Sequence, residues 1–318
     1  MLTFAGNNCS VTEPYRVLFE TVHGSQAYGL ARARSNPDVK GVIAGPRHWY
    51  LGPLHGPERV EVSADHVRYD VRKFFQLAEE ASPTVLELLF AEPSDHRIVH
   101  PLAARLLAVR EQFLSRNVAR RFSSCATDEL RRIHRHREWL LAPPSQPPSR
   151  AEFGLPERRT VPVDQRRAAE KLLAHMGVDP DGLAPDFLEL LQREGRYEQA
   201  RRRFQQYENW QDNRHPGRAA LERRFGYDTK PAMHVVRLLR MGAEILQTGE
   251  VHVWRADRSE LLAVRDGAWP YDALVAYVAE MRVEINRLDA LSPLPQYPDH
   301  DAIASLCGEL LTEHLQTF

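Results

Sequence analysis

The sequence predicts an α+β protein: a small mixed sheet with helices, followed by a longer α-helical part. Three observations lead there. Apolar residues run or alternate over short stretches at residues 15–22, 38–45 and 60–69, as strands require. From "DVRKFFQLAEEA" onward their spacing turns helical. Beyond residue 116 almost every periodic segment has the helical repeat, so the expected division is 1–115 for the α/β domain and 116–318 for a mainly helical one.

The elements follow in order. "YRVLFETV" reads as a strand ending at His23-Gly24-Ser25, "DVKGVIAG" as a second, and "VEVSADHVRY" as a third that carries Asp65. Ser82-Pro83-Thr84 restarts a helix, with Thr84 as the expected N-cap. "HPLAARLLAVREQFLSR" and "CATDELRRIHRHREWLL" are further helices. Residues 142–163, rich in proline and polar residues, read as an exposed loop. Helices are then expected near 164–176, 184–193, 196–210, 217–225, 229–247, 271–290 and 300–316, with "EVHVWRA" as a short strand. There is no internal repeat.

Composition excludes several classes. With 43% hydrophobic residues the chain can build a sizeable core, yet it has no apolar run of about 18 residues that would cross a membrane. Cys9, Cys125 and Cys307 are widely spaced and form no C-x-x-C pair, so neither a zinc knuckle nor a disulfide framework is expected. A reducing cytoplasm suits this, and the N-terminus shows no secretory signal. The net charge of −1 does not advertise nucleic acid. Lysine occurs only at positions 40, 73, 171 and 230, so arginine supplies most of the positive charge.

The stretch "VHGSQAYGLARARSNPDVKGV" carries the chemistry. A Gly-Ser turn opening a helix allows close backbone approach and offers N–H donors to phosphate. Side chains at i and i+2 on a strand share a face, so a D-x-D pair aims two hard oxygen ligands at one place. Two divalent ions held there stabilise the attacking and leaving oxygens of phosphoryl chemistry. This chain has Gly24-Ser25, then Asn36-Pro37-Asp38, then Asp65. Asp70, at a helix start, is the alternative third carboxylate or an N-cap. Taken singly, these are ordinary turn and surface residues. Glu87, in apolar surroundings, reads as a structural partner of Arg72 or Lys73.

The segments "GSQAYGL", "SNPDVKGV", "VRYDVRKFFQLAEEASPTVLELLF" and "FGYDTKPAMHVVRLLRMGAEILQTGEV", in this order, resemble the DNA polymerase beta superfamily of nucleotidyltransferases. Within it they resemble the RNA repair pathway DNA polymerase beta family. The resemblance implies a metal-dependent transfer of NMP from an NTP, ATP among the candidates, to an RNA end such as that of tRNA. It implies Mg²⁺ or Mn²⁺, two ions, at positions 36, 38 and 65. Gly24 and Ser25 would hold the β and γ phosphates; Tyr28 and Lys40 are further candidate nucleotide contacts, Lys40 because it follows Asp38 by two on the same strand face. A protein or small-molecule acceptor, or a non-catalytic nucleotide or RNA binder, are the other readings.

Asn36 departs from the pattern. It keeps one carbonyl oxygen and removes a full negative charge. The rest of the motif is intact, so the reading is an Asp→Asn change that inactivates an enzyme, with a natural pseudoenzyme as the alternative.

In the helical part, Asp228 or Thr229 can cap a helix that tolerates Pro231 in its first turn. Lys230, His234 and Arg237 recur along one side at i, i+4 and i+7, which suggests a clamp for the triphosphate. Arginine clusters at 115–122, 131–139 and 201–204, with Tyr197, Tyr207 and Trp210, suit either an RNA-tracking stripe or solvated helix surfaces.

Overall fold

The structure is a computed structural model. It describes residues 14–33, 35–51, 55–159 and 185–318 except 215, with isolated positions at 162, 165, 168 and 171. Most of the helix expected at 164–176 lies outside the described residues. The chain divides into two compact units, one made of 1–133 with 229–318 and the other of 134–228. This division by compactness falls elsewhere than the change of period near residue 115.

The first unit contains a five-stranded mixed sheet in the order β3-β4-β2-β1-β5. Its strands are β1 (Arg16–His23), β2 (Asp38–Ala44), β3 (Arg59–Ser63), β4 (His66–Asp70) and β5 (His96–Val99). β1 and β2 pair antiparallel, and β2 and β4 pair parallel. Between β1 and β2 the chain makes the single turn of α1 (Gly24–Ala27). Helices α2 (Val71–Glu79), α3 (Pro83–Leu89), α4 (Pro101–Ala108) and the first part of α5 (Asn117–Leu141) follow. The same unit holds α8 (Thr229–Thr248), α9 (Arg258–Arg265), α10 (Tyr271–Leu291) and α11 (His300–Thr317). The fold is α+β, with the sheet in the N-terminal part and helices in the C-terminal region.

The core follows from the strand pattern. Leu18 and Phe19 of β1 and Val42, Ile43 and Ala44 of β2 are buried, as are Phe74, Phe75 and Ala78 of α2. Leu86, Leu88 and Leu89 of α3 and Val235, Val236 and Leu239 of α8 are buried as well. A fully buried leucine contributes about 1.5–3 kcal/mol relative to an exposed one.

Several local expectations change. The third strand is a hairpin, β3 and β4, because Ala64 and Asp65 form a turn. Asp65 therefore sits on that turn and not on a strand. Ser82, not Thr84, is the N-cap of α3, because Pro83 takes the first helical position, where its missing N–H costs nothing. "EVHVWRA" is not a strand; the Arg255 N–H donates to the Tyr28 carbonyl at 3.2 Å.

The second unit contains the rest of α5, α6 (Pro185–Asp212) and α7 (Pro216–Phe225). The helices expected at 184–193 and 196–210 are one, and Gly195 lies inside it. His136, Trp139, Tyr207 and Trp210 pack ring against ring, with centroids 5.4–6.0 Å apart. Tyr207 and Trp139 are buried. These rings build the inside of the unit, so Tyr207 does not offer a face to a nucleic-acid strand.

Candidate active site

The site is built where β1 meets β2. His23, the last residue of β1, pairs with Asp38, the first of β2, and Thr21 pairs with Lys40. Strand alternation places His23, Thr21, Asp38 and Lys40 on one face. Gly24 follows His23 with φ +69, a left-handed conformation that glycine adopts without strain. A Cβ on Gly24 would lie 2.1 Å from Asp38 Oδ2, so the carboxylate occupies the space above the glycine. The turn closes on itself: the Tyr28 N–H donates to the Gly24 carbonyl at 3.1 Å and the Leu30 N–H to the Ser25 carbonyl at 2.8 Å.

Asn36 precedes β2 and lies beside Asp65. Its Nδ2 donates to Asp65 Oδ2 at 3.3 Å. The Val39 N–H donates to the Asp65 carbonyl at 2.8 Å, which fixes the turn against the start of β2. Lys40 is half-buried, and that burial pulls its ammonium below the usual lysine range. The carboxylates of Glu87 and Asp38 act on it through space in the opposite direction. Asp70, the alternative third carboxylate, is buried. It caps α2 through the Arg72 N–H at 3.0 Å and accepts from Tyr50 Oη at 2.8 Å.

Beneath the turn lies a buried polar network that sequence reasoning split among separate roles. Glu87 on α3 is 2% exposed. It accepts from Tyr28 Oη at 2.5 Å and from Arg237 Nη1 at 2.5 Å, and His23 Nε2 stands 3.0 Å away. Arg237 Nη2 donates to His234 Nδ1 at 3.1 Å, and the guanidinium lies 3.8 Å from the centre of the Tyr28 ring. Burial by itself would raise the Glu87 carboxyl. The Arg237 charge and the bonds from His23 and Tyr28 outweigh it and hold the group well below the usual carboxylate range. Burial, reinforced by Arg237, pushes His234 down to about 3. It also lowers His23 and raises the Tyr28 phenol.

These contacts correct three expectations. Glu87 does pair, but with Arg237 and not with Arg72 or Lys73. Arg72 turns to Asp70, and Lys73 lies 3.2 Å from Glu58. Tyr28 points its hydroxyl inward, not toward a nucleotide. Lys230, His234 and Arg237 do not make one cationic stripe: Lys230 is exposed, His234 is neutral, and Arg237 is buried on Glu87. Helical spacing put them on one side of α8, but α8 is buried on more than that side, and the turn further along sinks into the core.

Polymerase-beta-like nucleotidyltransferases usually use divalent metals. The residues here offer two carboxylates and an amide. Among the described residues no group of three His, Cys, Asp or Glu side chains is arranged to hold a metal ion. An aspartate at position 36 would set two carboxylates against each other, a pair that favours a cation between them. Asparagine instead donates a hydrogen bond and satisfies Asp65 without one. The donor set therefore does not fit a two-ion centre.

A mixed sheet has a Gly-Ser turn between its first two strands, and an acidic residue opens the second strand directly above the glycine, as the resemblance to polymerase-beta-like nucleotidyltransferases implies. Residues 7–141 match the model of the RNA repair pathway DNA polymerase beta family. No curated protein and no solved structure matches the chain. Among the described residues no helix is long and apolar enough to cross a membrane.

Proposed function

We propose that this protein is a cytoplasmic nucleotidyltransferase that acts on an RNA end, tRNA among the candidates, with its chemistry curtailed at Asn36. In that reaction an acceptor hydroxyl oxygen bonds to the α-phosphorus of an NTP. The α–β bridging bond breaks, pyrophosphate leaves, and the hydroxyl proton passes to solvent. The Gly24-Ser25 turn receives the β and γ phosphates, and Lys40 offsets their charge from the same face as Asp38. Lys230, exposed at the start of α8, is a further candidate cation. His234 and Arg237 act only through the network under the turn.

The observation that carries this reading is the assembly of Asp38 against Gly24 with the Asn36–Asp65 hydrogen bond beside it. The same bond favours a second reading, a nucleotide binder without catalysis, because it satisfies Asp65 without a cation. Asn36→Asp separates the two. With radiolabelled NTPs, Mg²⁺ or Mn²⁺ and a tRNA acceptor, the aspartate variant gains transfer under the first reading. A variant that binds NTP yet stays inert with RNA, protein and small-molecule acceptors supports the second.

A further inference from the structure

Trp254 is the one tryptophan among five that is exposed, with 50% of its surface open. Exposure of so large an apolar ring forgoes the stabilisation its burial would give, yet the ring is held firmly. Its neighbours Val253 and Arg255 are buried. The Arg255 guanidinium donates to Glu244 Oε2 at 2.5 Å and to Asp257 Oδ1 at 2.9 Å. The Arg255 N–H donates to the Tyr28 carbonyl at 3.2 Å.

The ring is also fitted to the phosphate turn. Gly29 has φ +72, and a Cβ there would lie 3.0 Å from Cε2 and Cζ2 of Trp254. The buried part of the indole therefore lies against Gly29. Gly29 belongs to the same turn as Gly24 and Ser25, since its N–H donates to the Gln26 carbonyl at 3.0 Å. Over five residues at helical rise, Gly29 stands only about 7.5 Å along the chain from Gly24. Arg258 adds a cation 5.8 Å from the ring centre. A rigid aromatic surface at this place, open to solvent and flanked by positive charge, has the properties of a base-stacking platform.

We propose that Trp254 stacks on the nucleobase of the NTP whose phosphates the Gly24-Ser25 turn receives. This rests on the reading of that turn as the nucleotide site. Stacking uses the π-face common to all bases, so all four NTPs are accommodated.

The test is calorimetric binding to the full chain with Mg²⁺, comparing the parent with Trp254→Ala and Trp254→Phe. The probes are ATP, GTP, CTP, UTP, inorganic tripolyphosphate and a short single-stranded RNA. Trp254→Ala is expected to weaken each NTP about tenfold, equivalent to about 1.4 kcal/mol, and to leave tripolyphosphate unchanged. Trp254→Phe is expected to retain most of the affinity. Unchanged NTP affinity in Trp254→Ala overturns the proposal, as does an equal loss for tripolyphosphate, which would mean a collapsed turn. A loss confined to the RNA moves the platform to the acceptor strand and overturns the assignment to the NTP. Failure of the parent to bind either NTP or tripolyphosphate overturns the nucleotide-site reading itself and the platform with it.

Discussion

Arg237 Nη1 donates to Glu87 Oε1 at 2.5 Å across 150 positions of sequence, and both side chains are almost completely buried. The pair ties α8 to α3, and Glu87 in turn meets Tyr28 and His23 at the turn. Removing one partner of such a pair leaves an uncompensated buried charge. Glu87→Ala and Arg237→Ala are each expected to destabilise the protein by about 3–5 kcal/mol. The double variant is expected to lose less than their sum, because the second removal no longer strands a charge. Chemical denaturation of the three variants checks this, and strict additivity would show that the two groups act independently.

Asn36→Asp places a second carboxylate against Asp65. Without divalent ions the variant is expected to melt below the parent, since like charges then face each other at about hydrogen-bond distance. Added Mg²⁺ or Mn²⁺ is expected to reverse the order, because ligand bound only by the folded state raises its stability. Differential scanning fluorimetry with and without the ion reads both effects. Equal melting shifts in parent and variant would remove position 36 from cation binding.

Acid is expected to weaken the fold well before ordinary carboxylates are protonated. His234 is held at about 3 against 6.5 for the free side chain. Between those values the unfolded chain binds the proton and the folded protein does not, so stability falls as pH drops from about 6.5 toward 3 and is unaffected above that window. The slope from one such histidine is at most about 1.4 kcal/mol per pH unit. Glu87 works in the same direction at lower pH, since its depressed carboxyl stabilises the fold above its unfolded value and loses that contribution as pH falls. Arg237 donates to His234 Nδ1, a position that an asparagine oxygen can imitate. Melting temperatures from pH 7 to 5 should therefore fall less steeply in His234→Asn than in the parent, and an unchanged slope would assign the acid sensitivity elsewhere.

Gly24→Ala is expected to cost about 1–2 kcal/mol for the left-handed backbone alone. The new methyl also meets the Asp38 carboxylate, which must leave its place. Loss of NTP-induced stabilisation larger than the loss of global stability would mark the residue as part of the binding turn. Unaltered NTP binding would place the nucleotide elsewhere.

The pieces legible in the sequence were those with local causes. The Gly-Ser turn, the strands on either side of it and the start of α8 at Thr229 follow from alternation, glycine and proline. Asp70 as an N-cap was readable from its place before the helical run. Asp65 was misplaced because Ala64-Asp65 has no glycine or proline, and the alternation of residues 60–69 runs across the turn unbroken. The partner of Glu87 was out of reach for a different reason. Arg72 and Lys73 were near in sequence, whereas Arg237 becomes a neighbour only after the sheet and α8 pack. Periodicity likewise put Lys230 and Arg237 on one side of a helix, but it carries no information on what covers each turn of that side.

The Glu87–Arg237 pair also orders events during synthesis. The residues that complete the turn's support lie after the whole second unit, so the ribosome must add 150 residues between the two partners. At about 5–20 residues per second this interval lasts roughly 8–30 s. Throughout it, the nascent chain holds a carboxylate destined for the interior with no counter-charge yet made. A chain cut short before α8 is expected to leave Glu87 without its Arg237 partner, which makes it a client for chaperones and proteases and not a smaller working enzyme.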